Sequence, residues 1–309
     1  MKYPLVSVTI LSYNQEKYIA QCLESALSQK TDFQVEIIIG DDGSTDGTKA
    51  IILQYAEKYP QIKFIDRPEN IGLHKNFVDV IHKCSGTYIA LLEGDDYWLH
   101  PGKLQMQADF LNEHTNCSAC FTNCRTFWDG KIDEGEIKFG EKNKPHPPEL
   151  FNLDEYFADY RIVIPNNTKM FRKSAMPDEL PALFYTHIQW DYLIHLYNGL
   201  HGDFGYIPKV TLAYRRHDNT IISDKNLERI LFDAMDLEYI IKTILPPRYW
   251  KYFNVPYWEM NTLAFHYLGH QQYGKYITWY LKWFRHTPWK NINIKDEFYK
   301  FRQCVKHTE

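Results

Sequence analysis

The chain has 309 residues, 44% of them hydrophobic and 24% charged, with a formal net charge of −4. That length suits one large domain plus an appendage, and the balance is that of a globular chain, not a disordered or collagenous one. The net negative charge gives no global attraction to nucleic acid, and no stretch approaches the ~20 apolar residues of a membrane-spanning helix.

In chain order, Val6 to Leu11 reads as a first strand, broken by Ser12-Tyr13-Asn14. Its alternation, with Ser7 and Thr9, is strand-like and unlike a secretory signal. Ile19, Leu23, Ala26 and Leu27 follow at helical spacing. Val35 to Ile39 is a second buried strand that ends in Gly40-Asp41-Asp42-Gly43-Ser44. Thr45 or Asp46 can cap the next helix, which carries Ile51, Ile52 and Tyr55. A short strand at Lys63 to Ile65, a turn at Asn70-Ile71-Gly72 and a helix from Asn76 to Cys84 come next.

Tyr88 to Leu92 is then an apolar strand running into Glu93, Gly94, Asp95 and Asp96. Three carboxylates in four positions repel one another, and in a partly buried site that repulsion costs several kcal/mol. A hard divalent cation, Mg²⁺ or Mn²⁺, removes the penalty. Pro101 is placed to start the following helix, through Leu104 and Phe110. Strands alternating with helices predict a mostly parallel sheet with helices on both faces. Ser12–Asn14, Asp41–Ser44 and Glu93–Asp96 then lie at carboxyl ends of strands, the edge where open α/β sheets bind ligands. No glycine-rich phosphate loop is present, so a nucleotide bound here has its phosphates held through a metal.

The six cysteines show no disulfide framework, and a reducing cytosol is the expected compartment. Cys117, Cys120 and Cys124 are close enough to test as a metal knuckle. A second ligand pair at zinc spacing is missing, and the run around them reads as a buried strand. Residues 129–148 read as an insertion loop or edge hairpin, Ile162 to Ile164 as a strand, Trp190 to Ile194 as part of a helix, and Tyr206 to Tyr214 as a returning strand. The first domain is expected over residues 1–222, with halves of about 1–115 and 116–222. Residues 223–309 are expected to form a helical extension, with Leu231, Met235, Tyr239 and Ile240 in one register. Its end is basic and aromatic, with Trp279, Tyr280, Trp283 and Phe284 beside Lys282 and Arg285. It is read first as a lid on the catalytic domain and second as an interfacial helix on an anionic membrane.

Four segments in this order and spacing carry a family resemblance: Val6 to Asn14, Ile38 to Ser44, Asn70 to Gly72, and Leu92 to Trp98. Together they resemble the inverting nucleotide-sugar glycosyltransferases of family 2, with the GT-A fold, over about residues 4 to 220. The resemblance implies Tyr13 against the nucleotide base and Asp42, with Asp41, on the base edge, which favours uracil. It places Gly72 and His217 in the nucleotide-sugar site, Asp95 at the ribose and metal, and Asp96 at the metal. Such enzymes usually carry Asp-x-Asp, where this chain has Glu93 at the first position. The catalytic base is implied near a helix start about 90 residues past the metal motif. Asp191 fits, and Asp178, in a Pro-flanked loop, is the rival.

The implied reaction is single-displacement transfer from a UDP-sugar to a glycan or lipid-linked hydroxyl, with Mn²⁺ or Mg²⁺ as cofactor. Its expected setting is bacterial surface polysaccharide or oligosaccharide synthesis, in the cytoplasm or at the inner membrane face. Two alternatives are a non-catalytic nucleotide-sugar-binding subunit and a sugar-nucleotide pyrophosphorylase. The presence of Asp191 speaks against the first. The second needs a glycine-rich loop with a basic residue after strand one, which Ser12-Tyr13-Asn14-Gln15 is not.

Overall fold

The computed structural model describes residues 6–140, 144–159, 163–185, 190–217, 245–252, 275, 277, 278, 280 and 281. The chain divides into two compact units, residues 1–186 with 190–217, and residues 187–189 with 218–309.

The first unit is built on one ten-stranded sheet. Its elements in order are β1 (Val6–Ser12), α1 (Ile19–Leu27), β2 (Val35–Asp41), α2 (Thr48–Lys58), β3 (Ile62–Ile65), α3 (Leu73–Lys83), β4 (Tyr88–Glu93), β5 (Tyr97–Trp98), α4 (Lys103–Glu113), β6 (Cys117–Trp128), β7 (Glu136–Ile137), β8 (Leu150–Phe151), α5 (Leu153–Ala158), β9 (Met170–Arg172), α6 (Trp190–His201) and β10 (Asp203–Arg216). The strand order is β3-β2-β1-β4-β9-β6-β10-β5, with β7 on β6 and β8 on β10.

β1 pairs in parallel with β2 and β4, and β2 with β3. The short β9 runs antiparallel between β4 and β6, so β6 and its parallel partner β10 regain the direction of β4. The carboxyl ends of β1, β2, β4, β6 and β10 therefore share one edge. Register fixes which residues meet there: Ser12 lies beside Asp41, Leu11 beside Glu93, and Trp128 beside Arg216.

Alternating side chains on the central strands feed two faces. Val8, Ile10, Ile37 and Ile39 share a core with Ile19, Cys22 and Leu23 of α1 and Leu104, Ala108 and Leu111 of α4. On the other face, Gly40 lies against Asn76 and Val80 of α3, where an added Cβ would meet the Asn76 Oδ1 at 2.2 Å. β1 and β4 are thus buried on both sides, which explains their near-continuous apolar sequence.

Several expectations are corrected. Pro101 does not open α4: it lies in a turn, Gly102 is the cap residue and Lys103 the first helical one. Val163 and Ile164 are not strand, and residue 162 lies outside the described residues. β5 and β9 were not expected. The 129–148 segment does supply an edge strand, β7, antiparallel to β6. Cys117, Cys120 and Cys124 are buried in β6, and burial pushes the Cys120 thiol up to about 12.

In the second unit, Pro247–Tyr252 forms a 3₁₀ turn around a buried Tyr249. The helical register at 231–240 lies outside the described residues, as do Trp279 and residues 282–285 of the aromatic tail. Among the described residues, no helix is long and apolar enough to cross a membrane.

Candidate active site

The loops after β1 and β2 are clasped together by short polar side chains. Asn14 adopts a left-handed conformation, with φ of 52°. Its Oδ1 accepts from the Thr45 N–H at 2.8 Å, and its N–H donates to the Ser44 Oγ at 2.9 Å. Gly47, not Thr45 or Asp46, is the cap residue of α2; Asp46 accepts from the Thr48 N–H and the Glu16 N–H and so joins the two loops. Asp41 is fully buried, and Ser44 engages both of its carboxylate oxygens. The Asp42 Oδ1 accepts from the Ile71 N–H at 2.8 Å, which draws the Asn70–Gly72 turn to the end of β2. Gly72 has φ of 90°, a conformation that suits glycine, and nothing would meet a Cβ there. Tyr13 stands largely exposed beside this platform.

The acidic motif leaves β4 at the same edge. The Gly94 N–H donates to the Leu11 carbonyl, and an added Cβ would strike the Gln15 Oε1 at 2.1 Å. The β1 loop thus approaches closely here, with the Gln15 side chain in the space a Cβ would take. One ligand atom from each of Glu93, Asp95 and Asp96 lies within 4.8 Å of the others. Burial first, and then the neighbouring Asp95 charge, pushes the Glu93 carboxyl up to about 8. Burial and the charges of Asp95 and Glu93 push Asp96 well above the carboxylate range. The cluster is therefore short of positive charge.

The adjacent aspartates have different surroundings. Asp96 is buried, and its two oxygens accept from the Asn167 side chain at 2.6 Å and the Arg215 N–H at 2.8 Å. Asp95 is partly open and meets the His217 Nε2 at 3.0 Å. His217 stacks on Tyr18. Arg215 binds this corner together: its guanidinium reaches the Asp95 carbonyl, Asp129 and Gln21, and packs over the Tyr18 ring.

Asp191 lies in the first turn of α6, where its Oδ1 accepts from the Tyr192 N–H. Its charge reaches Glu93 and raises that carboxyl. Burial raises the Asp191 carboxyl itself, and the Lys169 ammonium opposes the rise. Lys169 is fully buried, its Nζ has no hydrogen-bond partner among the described residues, and burial lowers it to about 7. Asp178 is exposed in the loop before α6.

Sequence reasoning missed Asn167, Lys169 and the clamp made by Arg215. The Pro165-Asn-Asn-Thr-Lys169 run does signal a polar segment, but its spacing is that of any turn.

Comparison with known proteins agrees with this geometry. The sequence profile described as glycosyl transferase family 2 matches residues 7–176. An uncharacterized protein of Mycobacterium tuberculosis is 36% identical over 221 residues, 70% of this chain and 60% of that one. The chain thus spans 60% of the length of that relative. The putative teichuronic acid biosynthesis glycosyltransferase TuaG of Bacillus subtilis is 38% identical over 119 residues, covering 38% of this chain and 46% of that one. Among solved structures, S. aureus TarS in complex with UDP-GlcNAc aligns with a TM-score of 0.54 and 17% identity over 92% of this chain and 81% of that one. The mannosyltransferase PcManGT from Pyrobaculum calidifontis, in complex with GDP-Man and Mn²⁺, aligns with a TM-score of 0.55 and 14% identity over 99% and 87%. The structural likeness is one of fold, GT-A, while the profile match over more than half the chain is one of descent. With three crowded carboxylates at the shared sheet edge, this chain belongs to glycosyl transferase family 2.

Proposed function

We propose that the chain transfers a sugar from a UDP-sugar to a hydroxyl of a glycan or lipid-linked acceptor, in polysaccharide or oligosaccharide synthesis, with inversion at the anomeric carbon. The observation that carries this reading is the group of Glu93, Asp95 and Asp96 at the end of β4, with Asp191 in the first turn of α6 near enough for its charge to act on Glu93. A binding module has no use for Asp191, whereas a single displacement needs a base facing the acceptor. The relatives named for polysaccharide work, chondroitin synthase and TuaG, and the UDP and UDP-GlcNAc complexes of TarS support the substrate class.

The donor set fits a hard divalent cation, Mn²⁺ or Mg²⁺, because the carboxylates are all oxygen ligands and are short of positive charge. Buried, unpartnered oxygens of Gln15, Asn166 and Asn167 add further polar atoms nearby. Glu93 and Asp95 are the proposed ligands, with Asp96 as the buried carboxylate that fixes them. Asp95 and Asp96 were both expected at the metal; this reading adds Glu93 and gives Asp96 the buried, supporting position in the same group. A bound cation supplies neutralisation of the charge that develops on the diphosphate leaving group.

The chain's own residues do the rest. Tyr13 offers a face for the base. Asp42, whose Oδ2 takes no hydrogen bond among the described residues, accepts from the base edge. Asp41, saturated by Ser44, holds the turn. His217 orients the Asp95 carboxylate. Asp191 takes the acceptor proton, and its raised affinity for a proton suits a base. The Lys169 ammonium opposes the rise of the Asp191 carboxyl.

Asp191→Asn tests the reading. It should leave UDP binding by calorimetry nearly intact, while turnover of the UDP-sugar identified by a donor screen falls roughly 10²–10⁴-fold. Near wild-type turnover would reject Asp191 and move the role to Asp178.

A further inference from the structure

A cavity of about 760 Å³ opens where β6 and β10 end, walled on one side by the β7 hairpin. It is linked to the acidic cluster through Arg215, whose guanidinium holds the Asp95 carbonyl and also Asp129, a residue of the cavity wall. Its size is within the ~300–1,000 Å³ range of pockets that hold small organic ligands. Part of the wall is aromatic, and Trp128 is 56% exposed there.

The charges of the wall do not balance locally. Asp129 is spent on Arg215, Glu134 is paired with Lys131 at 3.3 Å, and Glu136 with Lys144 at 3.0 Å. Two cations remain, Lys138 and Arg216, with no ion pair among the described residues. Arg216 is exposed and well solvated, but Lys138 is half-buried. Burial lowers its ammonium below the usual lysine range; Cys124 opposes the fall, and the charges of Lys144 and Arg216 add to it. A half-buried cation that repels its neighbours is costly unless an anion visits it. The apolar face of Trp128, beside Arg216 in the strand ladder, gives such a visitor a flat surface for a sugar ring.

We propose that this cavity is an acceptor subsite for an anionic sugar unit, a saccharide bearing a carboxylate or a phosphate. Lys138 and Arg216 take the anion, and Trp128 takes the ring face. The inference rests on the glycosyltransferase reading above and names the acceptor class it leaves open.

The test uses the full chain without donor or metal. Three probes are titrated by calorimetry: a tetrasaccharide alternating glucuronate and N-acetylhexosamine, its carboxyl-reduced form, and a short glycerol-phosphate oligomer. At least one anionic probe should bind, the uronate probe about tenfold tighter than its reduced form if the carboxylate is the ligand, and the phosphate oligomer if phosphate is. The double variant Lys138→Gln/Arg216→Gln should lose that binding about tenfold or more. If the double variant melts early, Arg216→Gln, at an exposed position, takes its place. Binding of neither anionic probe would overturn the inference. So would an unchanged affinity in the variants, or a reduced tetrasaccharide that is the tightest binder of the three. UDP binding by the same proteins in Mn²⁺ separates the two claims: lost anion selectivity with intact UDP binding is a failure of the subsite alone.

Discussion

Asp95 and Asp96 show how much two neighbouring residues of one type can differ. The family resemblance gives Asp95 the ribose and metal and Asp96 the metal, but chain position says nothing about which carboxylate turns inward. In the folded chain Asp96 is enclosed by the Asn167 amide and the Arg215 N–H, while Asp95 faces outward toward His217. Asp96→Ala therefore strands two buried donors and should cost about 2–5 kcal/mol, read as a clear fall in melting temperature. Asp95→Ala strands none of the buried backbone and should melt within a few degrees of the parent, yet lose the effect of Mn²⁺ on UDP binding. Equal stability losses in the two variants would reject the division between buried support and outward ligand. Gly94 is a similar case. Glycine in an acidic loop suggests a free turn, but here the space a Cβ would take is filled by the Gln15 side chain from another segment.

At the scale of elements, Glu36 ties the opening strands together. Its carboxylate accepts from Ser7 of β1, Lys63 of β3 and Ser85 before β4. Burial alone would raise its pKa, and these partners outweigh burial and bring it down to about 2. A depressed carboxyl contributes stability above its unfolded value and loses it as pH falls through the folded one. The contribution should be about 3 kcal/mol near neutral pH. Urea melts should show Glu36→Gln weaker than the parent at pH 7, with the gap closing between pH 4.5 and 2. A gap that stays constant over that range would refute the assignment. The long alternating and apolar strands β1, β2, β4 and β10 were legible from their periodicity. The three-residue β9 was not, because such a run carries no periodicity, and its place between β4 and β6 is set by long-range pairing. The first-turn position of Asp191 in α6 was expected from the family resemblance, but Lys169, which faces its charge, arrives from a turn that no local pattern marks.

Over the whole molecule, one sheet edge gathers the loop after β1, the Asp41–Ser44 turn, the acidic motif, Asp191 and the Arg215 clamp. The cavity with Lys138 and Arg216 opens at the same edge. A parallel arrangement does this because every strand delivers its carboxyl end to the same side. β9 lies antiparallel between β4 and β6, so β6 and β10 run in the direction of β4. The order of segments was readable from the chain, whereas the neighbour relations of β6 and β10 were not. The central claim is that the crowded carboxylates at this edge are built to hold a divalent cation against a nucleoside diphosphate. Calorimetric titration of UDP in Mn²⁺ and in chelator tests it most directly. The account predicts about tenfold or greater tightening with Mn²⁺. Equal affinity in the two conditions would contradict it.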